Sequence, residues 1–288
     1  MTGPRDSRAP GDLTAPVEPP RFWRSTATVF DLAIGQLLWS RRSMLLLLLV
    51  LGPVVLAGLV RAAGALDAGP PRGGRPGGPV LYGLMIWLLY VRFIVPAIGV
   101  LYGTALIADE VEDRTLTYLF VRPIRRASVL LGKYLAFLVC ASLLVLPSAM
   151  AVFFLIVPMR EGRVGAAFPT LVADLGMLML GLAAYGALFA WVGARLRRPL
   201  VIGLVFAFGW EPAVLFLPGY LKRLTVAYYV QGLVPHAMPD QPAASVLLRV
   251  VRDVPGLGMA VAGLVLLTLA SLLFAARTIE RREYVLNQ

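Results

Sequence analysis

Long charge-free runs alternate along this chain with short clusters of arginine and acidic residues. The first run, Ser43 to Val60, lies between Arg42 and Arg61 and contains 18 residues without a charge, about the length that crosses the hydrocarbon core of a bilayer as a helix. Five more follow: about Val80 to Ala108, which contains Arg92; Val129 to Val157, passing through Pro147; Phe168 to Ala194, with Asp174 near its start; Pro199 to Leu217, with Glu211-Pro212 inside it; and Val254 to Ala276, free of charge. The third and fourth are long enough to tilt or protrude. No internal repeat at a fixed period is present. The pattern predicts an all-α polytopic membrane protein with six transmembrane helices.

Ahead of the first span, Ser25 to Ser40 has another character. Trp23, Ala27, Phe30, Ile34 and Leu37 recur at helical spacing opposite Arg24, Thr28, Asp31 and Gly35, which predicts an N-terminal interfacial helix lying on the membrane. A surface helix packed on other protein is the alternative. Residues 1–24 carry five prolines within the first 20 positions, with charges of both signs and no apolar core, the composition of a disordered tail and not of a cleaved signal peptide. Residues 25–288 then form a single transmembrane domain.

Composition supports this reading and excludes others. Hydrophobic residues make up 59% of the chain and charged residues only 15%, against about 25% charged in soluble globular proteins. The formal net charge of +11 would suggest nucleic acid in a soluble protein. Here most arginines flank apolar runs, where they set orientation and meet lipid headgroups, so no nucleic-acid partner is expected. The single cysteine, Cys140, allows no intrachain disulfide and no cysteine-based metal cluster. Of the Lys and Arg residues, 17 fall in the connections on the side of the two termini and nine on the other side, which places both termini in the cytoplasm.

The connections differ from one another. Ala62 to Pro79 is rich in Gly and Pro and reads as irregular. Pro218 to Asp253 mixes Tyr220, Leu221, Leu224, Tyr228 and Leu233 with Lys222, Arg223 and Gln231, which suits a short amphipathic helix in the outer interface with tyrosines at headgroup level. Between spans 2 and 3, Asp109, Glu110, Glu112 and Asp113 place four carboxylates within five residues just past a span. Arg114 and Thr115 follow, and Leu116, Leu119 and Phe120 then form an apolar face that Pro123 should terminate, with Arg122, Arg125 and Arg126 beside it. An apolar ridge flanked by charge is the form that lodges in a groove of a soluble partner. A merely solvated cytoplasmic turn is the other reading of the same composition.

This stretch resembles the ABC-2 family of ATP-binding-cassette transporter permeases. The match consists of the acidic cluster Asp109 to Asp113, Thr115-Leu116, Arg122-Pro123-Ile124, Arg126, and Gly132-Lys133 opening the third span; Arg114 stands where the family more usually has Gly. The resemblance implies that Glu110, Glu112, Asp113, Arg114, Thr115, Leu116, Leu119, Phe120, Arg122, Pro123 and Arg126 form a cytoplasmic coupling helix docked on a separate ABC ATPase subunit. It also implies a second permease subunit, identical or related, surrounding membrane lipids, the inner membrane of a prokaryotic cell, and export as the direction. ATP and Mg would be bound by the partner. This chain needs no cofactor of its own, since Gly132-Lys133 is followed by Tyr134 and has no glycine five residues earlier, and so cannot form a phosphate-cradling loop.

Arg92 and Glu211 are the charges placed deepest, about 21 Å and 18 Å from the cytoplasmic ends of their spans at 1.5 Å per residue. A candidate intramembrane pair, separate positions in an aqueous vestibule, and contact with substrate are all open, because an isolated charge at that depth costs several kcal/mol. Asp174 is expected near the outer interface and solvated. His236 has no second metal-ligating residue nearby, so no metal site is expected. Gly99 and Gly103 in the second span, and Gly256 and Gly258 in the sixth, could permit close helix contact; Met177 and Met179 read as packing. A membrane-embedded lipid-processing enzyme would need acid or metal clusters that the sequence does not supply. A non-transporting structural or regulatory membrane subunit is the other alternative.

Overall fold

The apolar runs become long helices whose chain reversals place alternate helix ends at opposite faces of a bundle. The computed structural model describes residues 22–38, 41–66, 77–106, 126–159, 163–215, 220–233 and 255–281. In order these form α1 (Phe22–Leu38), α2 (Arg41–Leu66), α3 (Gly78–Leu106), α4 (Arg126–Ile156) and α5 (Val164–Arg195). A sixth helix, α6, runs from Pro199–Leu204 through Val205–Trp210 into Glu211–Leu215; a 3-10 turn (Tyr220–Leu224), α7 (Val226–Gln231) and α8 (Leu257–Arg281) follow among the described residues. Among the described residues there is no strand. Residues 1–21, Asp109 to Pro123, and His236 lie outside the described residues, and Phe22 to Arg24, expected in the tail, are the first turn of α1.

Five helices, α2, α3, α4, α5 and α8, are long and apolar enough to cross a membrane, and the apolar helix Pro199–Val214 is shorter than these. The expected six apolar segments are all present, five at full length. Prolines 53, 147 and 169 lie inside α2, α4 and α5, as neighbouring helices allow in membrane bundles. Helix α2 continues past the expected end at Val60 to Leu66, and Arg61 donates to the Leu155 carbonyl of α4 at 2.8 Å. Its leucines face outward, with Met44, Leu45 and Leu48 well exposed, the inverse of a soluble helix and the expected form of a surface that meets lipid.

Small residues draw the centre together. A Cβ on Gly99 would lie 2.6 Å from Tyr185 Cβ, one on Gly103 2.8 Å from Phe189 Cβ, and one on Gly193 2.6 Å from the Thr104 carbonyl oxygen. The expected close approach at Gly99 and Gly103 is therefore the α3–α5 crossing. Gly256 and Gly258 behave otherwise, with open space around both. Helix α8 packs along α5 beyond them, where Trp191 and Phe274 meet at 6.0 Å.

Helix α1 lies against α4, so one flank of it packs on protein, the alternative reading of its amphipathic pattern. Ser25, Thr26 and Ala33 are buried on α4, whereas Trp23 and Ala27 of the apolar stripe are exposed on the neighbouring side. One flank thus packs on protein and the adjacent flank keeps an apolar surface, with Arg24, Thr28 and Asp31 exposed beyond it. Gly132 permits the crossing, since a Cβ there would be 2.7 Å from the Thr26 carbonyl oxygen. Next to it, Lys133 donates to the Leu106 carbonyl at 3.3 Å, joining α4 to α3.

Candidate functional site

Along the middle of the spans, polar side chains gather in the apolar interior. Glu211 is 1% exposed. A carboxylate taken out of water loses several kcal/mol of hydration and persists only where hydrogen bonds replace it. Both of its oxygens are held: Tyr185 of α5 donates its hydroxyl to Oε2, and the Val226 N–H donates to Oε1 at 2.9 Å. The second donor is one of the orphan amides at the start of α7. Glu211 therefore joins α5, α6 and α7 at one point.

The chain after α6 turns back into the bundle there. Thr225 donates its hydroxyl to the Lys222 carbonyl at 2.7 Å and accepts from the Tyr228 N–H at 3.4 Å, capping α7. Val226, Tyr228, Val230 and Gln231 are all buried, and α7 packs on α5 and α8. The expected interfacial helix with tyrosines at headgroup level is corrected by this burial: Tyr228 is 6% exposed. The spacing of Val226, Val230 and Leu233 forms an apolar stripe that is better satisfied by protein than by an interface. Gly232 lets the segment pass Pro255, since a Cβ would lie 2.8 Å from the Pro255 carbonyl oxygen.

Arg92 lies midway along α3, and its guanidinium sits over the Trp87 ring at 5.3 Å from the centroid, a cation–π arrangement. It is near enough to Glu211 for the two charges to act on one another, while the carboxylate's direct hydrogen bonds go to Tyr185 and Val226. Arg92 falls within a π-helical stretch, Ile86–Ile94; two more such stretches are Gly99–Gly103 in α3 and Val205–Trp210 in α6, the latter ending one residue before Glu211. Wide turns of this kind are rare and concentrate at functional sites.

Asp174, expected to be solvated, is instead 0% exposed on α5, beside Tyr82 of α3. The residues that sequence reasoning did not bring to the site are Tyr185, Val226, Trp87 and Gln231. Asp174, Leu178, Gly181, Tyr185 and Phe189 recur at helical spacing, so a polar residue three turns before Tyr185 on one face was a readable signal. Met177 is buried and Met179 accepts a hydrogen bond from Ser142 at 2.9 Å, consistent with packing. Of the residues assigned to coupling, Arg126 begins α4, while Glu110, Glu112, Asp113, Arg114, Thr115, Leu116, Leu119, Phe120, Arg122 and Pro123 lie outside the described residues.

A bundle of apolar spans with charged side chains at mid-length and a polar, helix-capping carboxylate inside defines a polytopic membrane protein built around more than lipid anchorage. A family model described as ABC-2 family transporter protein matches residues 17–240, and the chain belongs to that family. It is thus a permease subunit of an ATP-binding-cassette transporter, a membrane subunit that is not itself an ATPase. No curated protein matches the chain.

Proposed function

We propose that this chain forms the translocation path of an ABC exporter and is driven through the segment Glu110 to Arg126 by a separate ATPase. The observation that carries the reading is the family match across residues 17–240, which takes in that segment and the helices on both sides of it. Its sequence is too charged to enter lipid, and Leu116, Leu119 and Phe120 give one face too much apolar surface to leave uncovered. Helices α3 and α4 flank it, and the Lys133 to Leu106 hydrogen bond ties their near ends together. Force applied to the segment by ATPase closure would move both helices as a unit, and with them Arg92 and the α3–α5 crossing. Two permease copies, or this chain with a related one, enclose the path, with both termini and the ATPases on the cytoplasmic side of a prokaryotic inner membrane. ATP and Mg belong to the partner.

Co-expression with a cognate ATPase subunit tests this. The detergent-purified complex is expected to contain two permease and two ATPase subunits and to hydrolyse ATP faster than the ATPase alone. An ATPase that neither co-purifies nor responds to the permease would contradict the reading. In inverted vesicles, ATP-dependent uptake of cargo marks export.

A further inference from the structure

Helices α3 and α6 break their hydrogen-bond ladders in the same way and side by side. In α3 the Val95 N–H donates five residues back, to the Tyr90 carbonyl, and the next residue, Pro96, has no N–H. In α6 the Glu211 N–H donates five residues back, to the Phe206 carbonyl, and Pro212 follows. The carbonyls of Val91 and Ala207, both buried residues, therefore receive neither the α-helical donor nor the wide-turn donor. The two breaks adjoin, since Phe93 and Phe208 meet at 5.5 Å. Pro53, Pro147 and Pro169 lie inside helices with no wide turn, so proline alone does not produce this arrangement.

The stretches of α3 on either side of its break have different neighbours. Before it, a Cβ on Gly78 would lie 2.5 Å from the Ile156 carbonyl oxygen, Tyr82 meets Phe153 edge-on at 5.1 Å, and the Tyr90 hydroxyl shares a hydrogen bond with Ser148 at 2.6 Å, all on the second half of α4. After it, Gly99, Gly103 and Thr104 lie against Tyr185, Phe189 and Gly193 of α5. Val100 lies beside Gly203, on the stretch of α6 that precedes its own break. The part of α3 after its break and the part of α6 before its break are thus packed on each other. A backbone short of ladder bonds, set between two differently packed parts, is where a helix bends at least cost.

We propose that α3 and α6 bend as a pair at residues 91–96 and 207–212, so that residues 97–106 and 199–206 move as one body relative to residues 78–90. Its meaning, as the step that alternates access to a path, rests on the transporter reading. The bend itself is measurable without an ATPase.

The full-length protein, with Cys140→Ala, receives a single trifluoroethyl reporter at exposed Val201→Cys of α6 or exposed Leu84→Cys of α3 and is placed in phosphatidylcholine nanodiscs for fluorine NMR. Two resonances are expected at each reporter, one for each arrangement. Pro212→Ala and Pro96→Ala each supply an N–H that can close the broken turn, and each should shift the ratio of the two resonances about fivefold, the effect of one backbone hydrogen bond. The decisive readings cross between helices: Pro96→Ala at the α6 reporter and Pro212→Ala at the α3 reporter, with shifts in the same direction. Should Pro96→Ala not fold, Pro212→Ala read on α3 decides alone. Pro147→Ala, in a helix without a wide turn, should leave both ratios unchanged. A single resonance in the wild type, a substitution felt only on its own helix, or an equal shift from Pro147→Ala overturns the proposal. With no ATPase present, those outcomes leave coupling as it stands, and a failure of coupling leaves the bend as measured.

Discussion

Replacing Tyr185 with Phe removes one hydroxyl from the centre of the bundle, and the consequence can be worked out from its single partner. The hydroxyl donates to a carboxylate that is 1% exposed, so no water stands ready to replace it. A hydrogen bond to a charged group contributes about 1.5–3 kcal/mol, and Tyr185→Phe should destabilise by that amount. Tyr134 is the control on the neighbouring helix, since its hydroxyl donates to the neutral Ala183 carbonyl at 2.9 Å and its loss should cost about 1 kcal/mol. Glu211→Ala removes both bonds and leaves the Val226 N–H without its acceptor, for about 3–5 kcal/mol. The double variant should then lose less than the two singles together by about 1.5–3 kcal/mol, because the Tyr185 bond is counted in each. Denaturant unfolding of the purified protein in detergent supplies the four stabilities. Additivity within about 0.5 kcal/mol would show that the two groups do not depend on each other, and the account of Glu211 as the joint between α5, α6 and α7 would fail.

Further outcomes are expected. Gly193→Ala puts a methyl 2.6 Å from the Thr104 carbonyl oxygen and should destabilise by about 1–3 kcal/mol through forced separation of α3 and α5, whereas Gly258→Ala, in open space, should be neutral or slightly stabilising in the same melts. Arg92→Ala and Glu211→Ala combined should show a smaller coupling than Tyr185 with Glu211, since their charges act across a gap and not through a shared bond; a coupling as large would place them in direct contact. Reporter fusions at both termini should give cytoplasmic signals, and a periplasmic signal from the C-terminus would remove the topology.

The spans were legible because membrane insertion demands long uncharged runs, and that demand acts on every residue of α2, α3, α4, α5 and α8. Arg92 and Glu211 could be placed at similar depth by counting along their helices. Depth, however, does not reveal rotation about a helix axis, and so the direct partners of Glu211, Tyr185 and the Val226 amide, did not follow from the sequence. Asp174 shows the same limit, because its axial position near the start of a span suggested water while its facing put it behind Tyr82. The segment after α6 was misread for a different reason. Its mixture of tyrosine, leucine and basic residues fits an interface and a buried return equally well, and only the Glu211 and Thr225 hydrogen bonds turn it inward.

The central claim, that an ATPase drives this permease through the segment between α3 and α4, is tested most directly by replacing Leu116 and Phe120 together with Asp. A desolvated, unpaired carboxylate in an apolar groove costs several kcal/mol, and neither substitution touches a span. The double variant is expected to insert and melt like wild type, yet to lose the co-purifying ATPase and all permease-dependent ATP hydrolysis. Retention of the ATPase at wild-type stoichiometry with stimulated hydrolysis would contradict the account.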